Sequence, residues 1–125
     1  MGLYLAAVAG DAEIMGLQVA EYGPDARVIT VAGEVDTFTA PDLAAFLTAQ
    51  LGAARLVVVD LDGVQFLGSA GLSVLIEANE LASRQDGDLR LVCSSRPANR
   101  ALEVTGLRQH FTFVDNVPEA LNNLS

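Results

Sequence analysis

Lysine is absent from this chain of 125 residues, and its seven basic residues are all arginine. A P-loop places a lysine on its phosphates, so no Walker-type nucleotide site can be built here. The arginines are scattered along the sequence and outnumbered by sixteen acids, for a formal charge of -9. Nucleic acids and anionic membranes demand a basic face, so neither is an expected partner. A basic or mixed-charge protein partner is compatible with this balance. Cysteine occurs once, as Cys93. One thiol cannot form an intramolecular disulfide or a zinc cluster, and the expected location is the cytoplasm.

Long apolar runs are missing as well. The start, "MGLYLAAVAG", lacks the basic stretch of a secretory signal and is too short to span a bilayer. It also lacks the Ser or Thr that a myristoylation signal carries at its sixth position. Residues 1–15 read as a poorly defined lead-in, with Met15 opening the ordered pattern and residues 16–125 forming the domain. Apolar side chains are otherwise plentiful: 51% of residues are hydrophobic against 18% charged. This composition belongs to a folded chain, and the length favours one domain that needs no disulfide or metal to hold its core.

Hydrophobic periodicity divides the domain. "GLQVAEYG" and "ARVITVAG" read as two strands joined in a hairpin across Gly23-Pro24-Asp25. In "TAPDLAAFLTAQL", Thr39 is a good N-cap, Pro41 suits the first turn, and Leu43, Phe46, Leu47 and Leu51 follow at helical spacing. "ARLVVVDLDG", residues 54–63, is apolar without alternation, as expected of a strand covered on both faces. A helix follows "GSAG", with Val74, Leu75, Ala78, Leu81 and Ala82 on one face, and ends near Arg84. "DLRLVCS" gives a strand. "RPANRALEVTGL" gives a helix with Gly106 as its C-terminal cap. "FTFVDN" gives a short strand, with Asn116 capping a last helix over Val117 to Leu124. The alternation predicts an α/β domain: a small mixed sheet of about five strands flanked by about four helices.

Ser69, between Gly68 and Ala70-Gly71, carries the sharpest question. As a cap, its oxygen would accept from the N–H of Gly71 or Leu72. As a nucleophile it would need a base, but "GSAG" falls one residue short of the G-x-S-x-G elbow. The sole histidine, His110, lies in a separate segment and reads as a solvated loop residue. As a phosphate acceptor it would sit at the positive end of a helix dipole, among unpaired N–H groups. Of the acids, Glu34, Asp36, Asp60 and Asp62 lie at strand ends, where carboxylates can hold Mg²⁺ but more often simply finish a strand. Cys93, set in a strand pattern, reads as a small hydrophobe. No cofactor, catalytic group or metal site is expected.

Four stretches in register, "VAGEVDTFTAPDL", "LVVVDLDGVQFLGSAGLSVL", "LRLVCSSRPANRALEVTGL" and "FTFVDNVPEAL", resemble the STAS-domain anti-sigma factor antagonists of bacteria. The resemblance covers Gly16 to Leu124. It implies a STAS-like fold and partner switching. Such an antagonist binds an anti-sigma factor, often a GHKL-type serine kinase that holds the ATP, and so frees a sigma factor. The kinase phosphorylates a serine at the start of the second helix, and a phosphatase restores binding. By this matching the acceptor is Ser69, and Asp36, Thr37, Leu67, Gly68, Ser69, Ala70, Gly71 and Leu72 line the partner surface. Two positions depart from the family's Asp-Ser-Ser/Thr-Gly-Leu: Gly68 replaces the Asp, and Ala70 replaces the second hydroxyl residue. The alternative is a STAS module of another assembly, a lipid-transport complex or a stress-signalling scaffold, without a phosphorylation switch.

Overall fold

The structure is a computed structural model that describes the backbone of residues 3–7 and all of residues 15–122. One sheet runs in the order β1 (Leu3–Ala7), β2 (Met15–Tyr22), β3 (Ala26–Val35), β4 (Leu56–Leu67), β5 (Asp88–Val92) and β6 (Thr112–Val114). The first three strands pair antiparallel, and β3 to β6 pair parallel. The helices are α1 (Ala40–Ala53), α2 (Ser69–Arg84), α3 (Arg96–Thr105) and α4 (Val117–Leu121), with a 3-10 turn at Leu107–His110.

The mixed sheet and its four helices match expectation, with one strand more. The segment read as a lead-in contains β1, which pairs with β2 from Leu3 opposite Ala20 to Ala7 opposite Gly16. The β2–β3 hairpin turns at Gly23, whose φ of 70° suits glycine. The expected last helix, Val117 to Leu124, runs to Leu121 with Asn122 as its C-cap, and its residues 123–124 lie outside the described residues.

Strand order equals chain order, so the parallel strands are reached without a reversal. Crossovers of one hand then deliver α1, α2 and α3 to the same face. There, Leu43 and Leu47 of α1, Leu72 and Leu75 of α2, and Ala98 and Leu102 of α3 pack on Val31, Val57, Val59 and Leu91. The opposite face holds a smaller cluster, with Ala120 of α4 against Ala26, Val28, Leu56, Val58 and Val92. This is why Leu56 to Val59 are buried without alternation: each successive side chain meets a different cluster. Arg90 helps to hold α4, donating from Nη1 to the Ala120 carbonyl at 3.2 Å while Nη2 contacts Asp88 at 2.6 Å.

The fourth strand runs past the Gly63 where the sequence pattern closes it, to Leu67. Two register shifts against β3 carry it there: the first, between Thr30 and Ala32, absorbs the stretch Asp60–Gly63, and the second, between Gly33 and Glu34, falls across Val64–Phe66. Asp60 Oδ1 accepts from the Asp62 N–H at 2.9 Å, and Asp62 Oδ1 accepts from the Ser94 N–H at 2.6 Å. Both carboxylates are thus used within the chain. Ser95, 6% exposed, donates to the Val64 carbonyl at 2.6 Å and accepts from the Ala98 N–H at 3.2 Å. It both caps α3 and fixes that helix to the extended part of β4. The extension carries the chain to the C-terminal edge of the sheet, where α2 begins.

Candidate functional site

The C-terminal edge of an open parallel sheet is where an α/β domain presents its loops. Here the end of β3 and the start of α2 meet. The Gly68 N–H donates to the Val35 carbonyl at 2.9 Å, and Val35 lies opposite Gly71. A Cβ at Gly71 would stand 2.6 Å from Val35 Cγ1 and 2.7 Å from Leu67 Cδ1. Glycine is therefore what lets the first turn of α2 close on β3.

The turn after β3 is locked by its own side chains. Asp36 Oδ1 accepts from the N–H of Phe38 at 2.9 Å and of Thr39 at 3.0 Å. Thr39, fully buried, accepts from the Asp36 N–H at 2.9 Å and donates to the Glu34 carbonyl at 2.9 Å. Thr39 occupies the N-cap position of α1 as expected, but its side chain makes no capping bond to the helix. Its hydroxyl is already engaged in closing the turn.

Ser69 is not the cap of α2. Gly68 is, with extended backbone angles (φ -88°, ψ 178°), and its carbonyl accepts from the Leu72 N–H at 3.1 Å. Ser69 is the first helical residue, where its own backbone is already helical. No side chain caps this terminus, and no acid lies in the first turn. The Ser69 side chain faces solvent. Among the described residues no base is hydrogen-bonded to its hydroxyl. His110 is exposed in the 3-10 turn, where its carbonyl accepts from Asn79 Nδ2 at 2.8 Å.

The expected partner residues divide by exposure. Thr37 and Ser69 are exposed, and Asp36, Gly68 and Ala70 are half-buried. Leu67, Gly71 and Leu72 are buried, so they support the surface from beneath and offer a partner no side chain. Asp36 has one carboxylate oxygen, Oδ1, taken up in pinning the turn. Above Gly68 lies the ring of Phe66, with Cε2 and Cζ 3.0 and 3.3 Å from the place a Cβ would take.

Two residues at this edge escaped the sequence reading. Phe38 is 86% exposed and Phe66 50% exposed. The available signal was position: Phe38 stands between a strand end and a helix cap, outside any core-facing period. Elsewhere, Cys93 sits just beyond β5 rather than within it, half-buried, and burial raises its thiol above the ordinary value. Asp60 is likewise raised by burial. Among the described residues no three His, Cys, Asp or Glu side chains are grouped as a metal site. A recess of about 330 Å³, lined by Pro24, Asp25, Leu51, Arg55 and Gln85 among others, lies at the opposite edge, where the parallel strands begin. Among the described residues no helix is long and apolar enough to cross a membrane.

An open mixed sheet, three helices on one face and the short α4 on the other, and a solvent-facing serine beginning the second helix at its C-terminal edge define a small module with a presented loop surface. The chain belongs to the STAS domain family, whose model matches residues 18–120. It is 30% identical over 81 residues to the anti-sigma-B factor antagonist of Staphylococcus aureus, covering 64% of this chain and 75% of that protein. It is 26% identical over 113 residues to the anti-sigma F factor antagonist of Paenibacillus polymyxa, covering 88% and 97%. The crystal structure of an anti-sigma factor antagonist from Mycobacterium paratuberculosis superposes with a TM-score of 0.77 at 29% identity, covering 88% of this chain and 93% of that one.

Proposed function

We propose that this chain is an anti-sigma factor antagonist. It binds an anti-sigma factor of the GHKL serine-kinase type in the cytoplasm and so releases a sigma factor for transcription. Phosphorylation of Ser69 by that kinase ends the association, and a serine phosphatase restores it. The relatives named above support the role. The observation that carries the switch is Ser69 itself: a solvent-facing hydroxyl on the first turn of a sixteen-residue helix with no acid in that turn. The fold tolerates a phosphate there, because the helix's first N–H groups lack partners and its dipole is positive at this end. The complex does not. A phosphate adds a charge of about -1.5 to -2, and burying that charge in a contact fitted to a hydroxyl costs far more than burying the hydroxyl. Nothing in this reading requires turnover by the chain itself.

The test is direct. Wild type and Ser69→Ala should bind the cognate anti-sigma factor alike, and Ser69→Asp should bind at least tenfold more weakly. Incubation with that factor and ATP should add one phosphate at Ser69. If the wild type binds none of the anti-sigma factors of the same organism, the role is wrong. Equal affinity of Ser69→Ala and Ser69→Asp refutes only the switch. A second reading, a STAS module of another assembly without the switch, is favoured by Gly68 and Ala70: neither offers a group to orient the serine hydroxyl. It expects no phosphate transfer and no anti-sigma partner.

A further inference from the structure

Three of the five phenylalanines, Phe46, Phe111 and Phe113, pack on the core. The other two, Phe38 and Phe66, are exposed and flank the junction of β3 and α2. Phe38 has no packing role that would explain it, yet its backbone is among the most constrained on this edge. Its N–H is held by Asp36 Oδ1, the next N–H by the same oxygen, and the turn is closed by Thr39. An aromatic side chain on a pinned turn loses little freedom on binding: only its two χ angles remain to be fixed. Large aromatic side chains seated in desolvated pockets dominate binding energy at protein interfaces.

Charge says what the partner must present: the acids Glu34 and Asp36 adjoin Phe38 in the chain, and residues 31–39 hold no basic residue. We propose that Phe38 is the apolar anchor of the partner surface, and that its occupant is the anti-sigma factor, which meets it with a ring-sized apolar recess bordered by basic side chains. This rests on the function proposed above and adds the residue that carries affinity.

The experiment measures the affinity of the full chain for the cognate anti-sigma factor. Phe38→Ala should keep its melting temperature, because the ring makes no core contact, and should raise the dissociation constant about thirtyfold or more. Val104→Ala, removing an apolar side chain that is 76% exposed on α3, serves as the control and should change it by less than twofold. A rise below tenfold for Phe38→Ala, with wild type binding normally, overturns the anchor and leaves the antagonist role standing. A wild type that binds no anti-sigma factor overturns both. Sedimentation supplies the last outcome: if Phe38→Ala dissociates a wild-type dimer without weakening anti-sigma binding tenfold, the face belongs to a second copy and the proposal fails.

Discussion

Gly71→Ala tests whether the first turn of α2 is held by close packing. The new methyl carbon would sit 2.6 Å from Val35 Cγ1 and 2.7 Å from Leu67 Cδ1. Ordinary carbon contacts lie at about 3.5–4.0 Å, so each neighbour must yield by about 1 Å. Neither has room, because Val35 is 0% and Leu67 5% exposed. Overpacking of this kind costs about 1–3 kcal/mol, and two buried neighbours place it in the upper half of that range. Alanine's better helix propensity returns up to about 1 kcal/mol. The net loss is then about 1–2 kcal/mol, a fall in melting temperature of about 4–8 °C for a domain of this size. Urea and thermal unfolding followed by far-UV circular dichroism measure it, with Gly52→Ala as control. A Cβ at Gly52 meets nothing within 4 Å, so that substitution should be neutral or stabilising by about 0.5 kcal/mol. NMR shifts of residues 35–39 should move in Gly71→Ala, because Val35 accepts from the Gly68 N–H and carries any displacement of α2 into the turn. A Gly71→Ala variant as stable as wild type, with those signals unmoved, refutes the reasoning.

Ser95→Ala removes the cap of α3 and leaves the Val64 carbonyl without its partner, so it should cost about 2–3 kcal/mol, read as a lowered urea midpoint. Asp60→Asn should stabilise at pH 7, because burial raises the native carboxyl above its ordinary value and ionisation is therefore a cost of the folded state. That gain should fade as the pH falls from the raised native value through the ordinary aspartate range, where the wild-type carboxyl is protonated in both states. Its size stays below about 1 kcal/mol because the carboxyl is partly exposed. The Asp62 N–H keeps its acceptor in the amide oxygen. Matched melting curves of the two proteins from pH 3 to pH 7 check the sign, and a difference that grows on acidification contradicts it.

Local chemistry in the sequence was enough for most of the elements. Period, turn residues and caps marked β2 to β6 and the four helices, because a helix face or a buried strand needs a set order of apolar side chains. Asn116 does cap α4, accepting from the Glu119 N–H at 2.8 Å, and Gly106 takes the left-handed angle at the end of α3. Position relative to a recognised pattern pointed to Ser69. What needed the third dimension was everything that depends on a neighbour distant in the chain. Strand β1 is an edge that exists by pairing with β2, and its own residues carry no decisive period. The run of β4 beyond Gly63 depends on register shifts against β3. Gly68 rather than Ser69 caps α2, because the cap is fixed by where the backbone leaves the β3 junction and not by which residue has the better oxygen. The same holds for the residues expected at the partner surface. Leu67, Gly71 and Leu72 turned inward because α2 closes on Val35, and Asp36 was drawn into its own turn. Phe38 was left in solvent, since burial is a property of the packed molecule and a sequence states only which side chains are able to be buried.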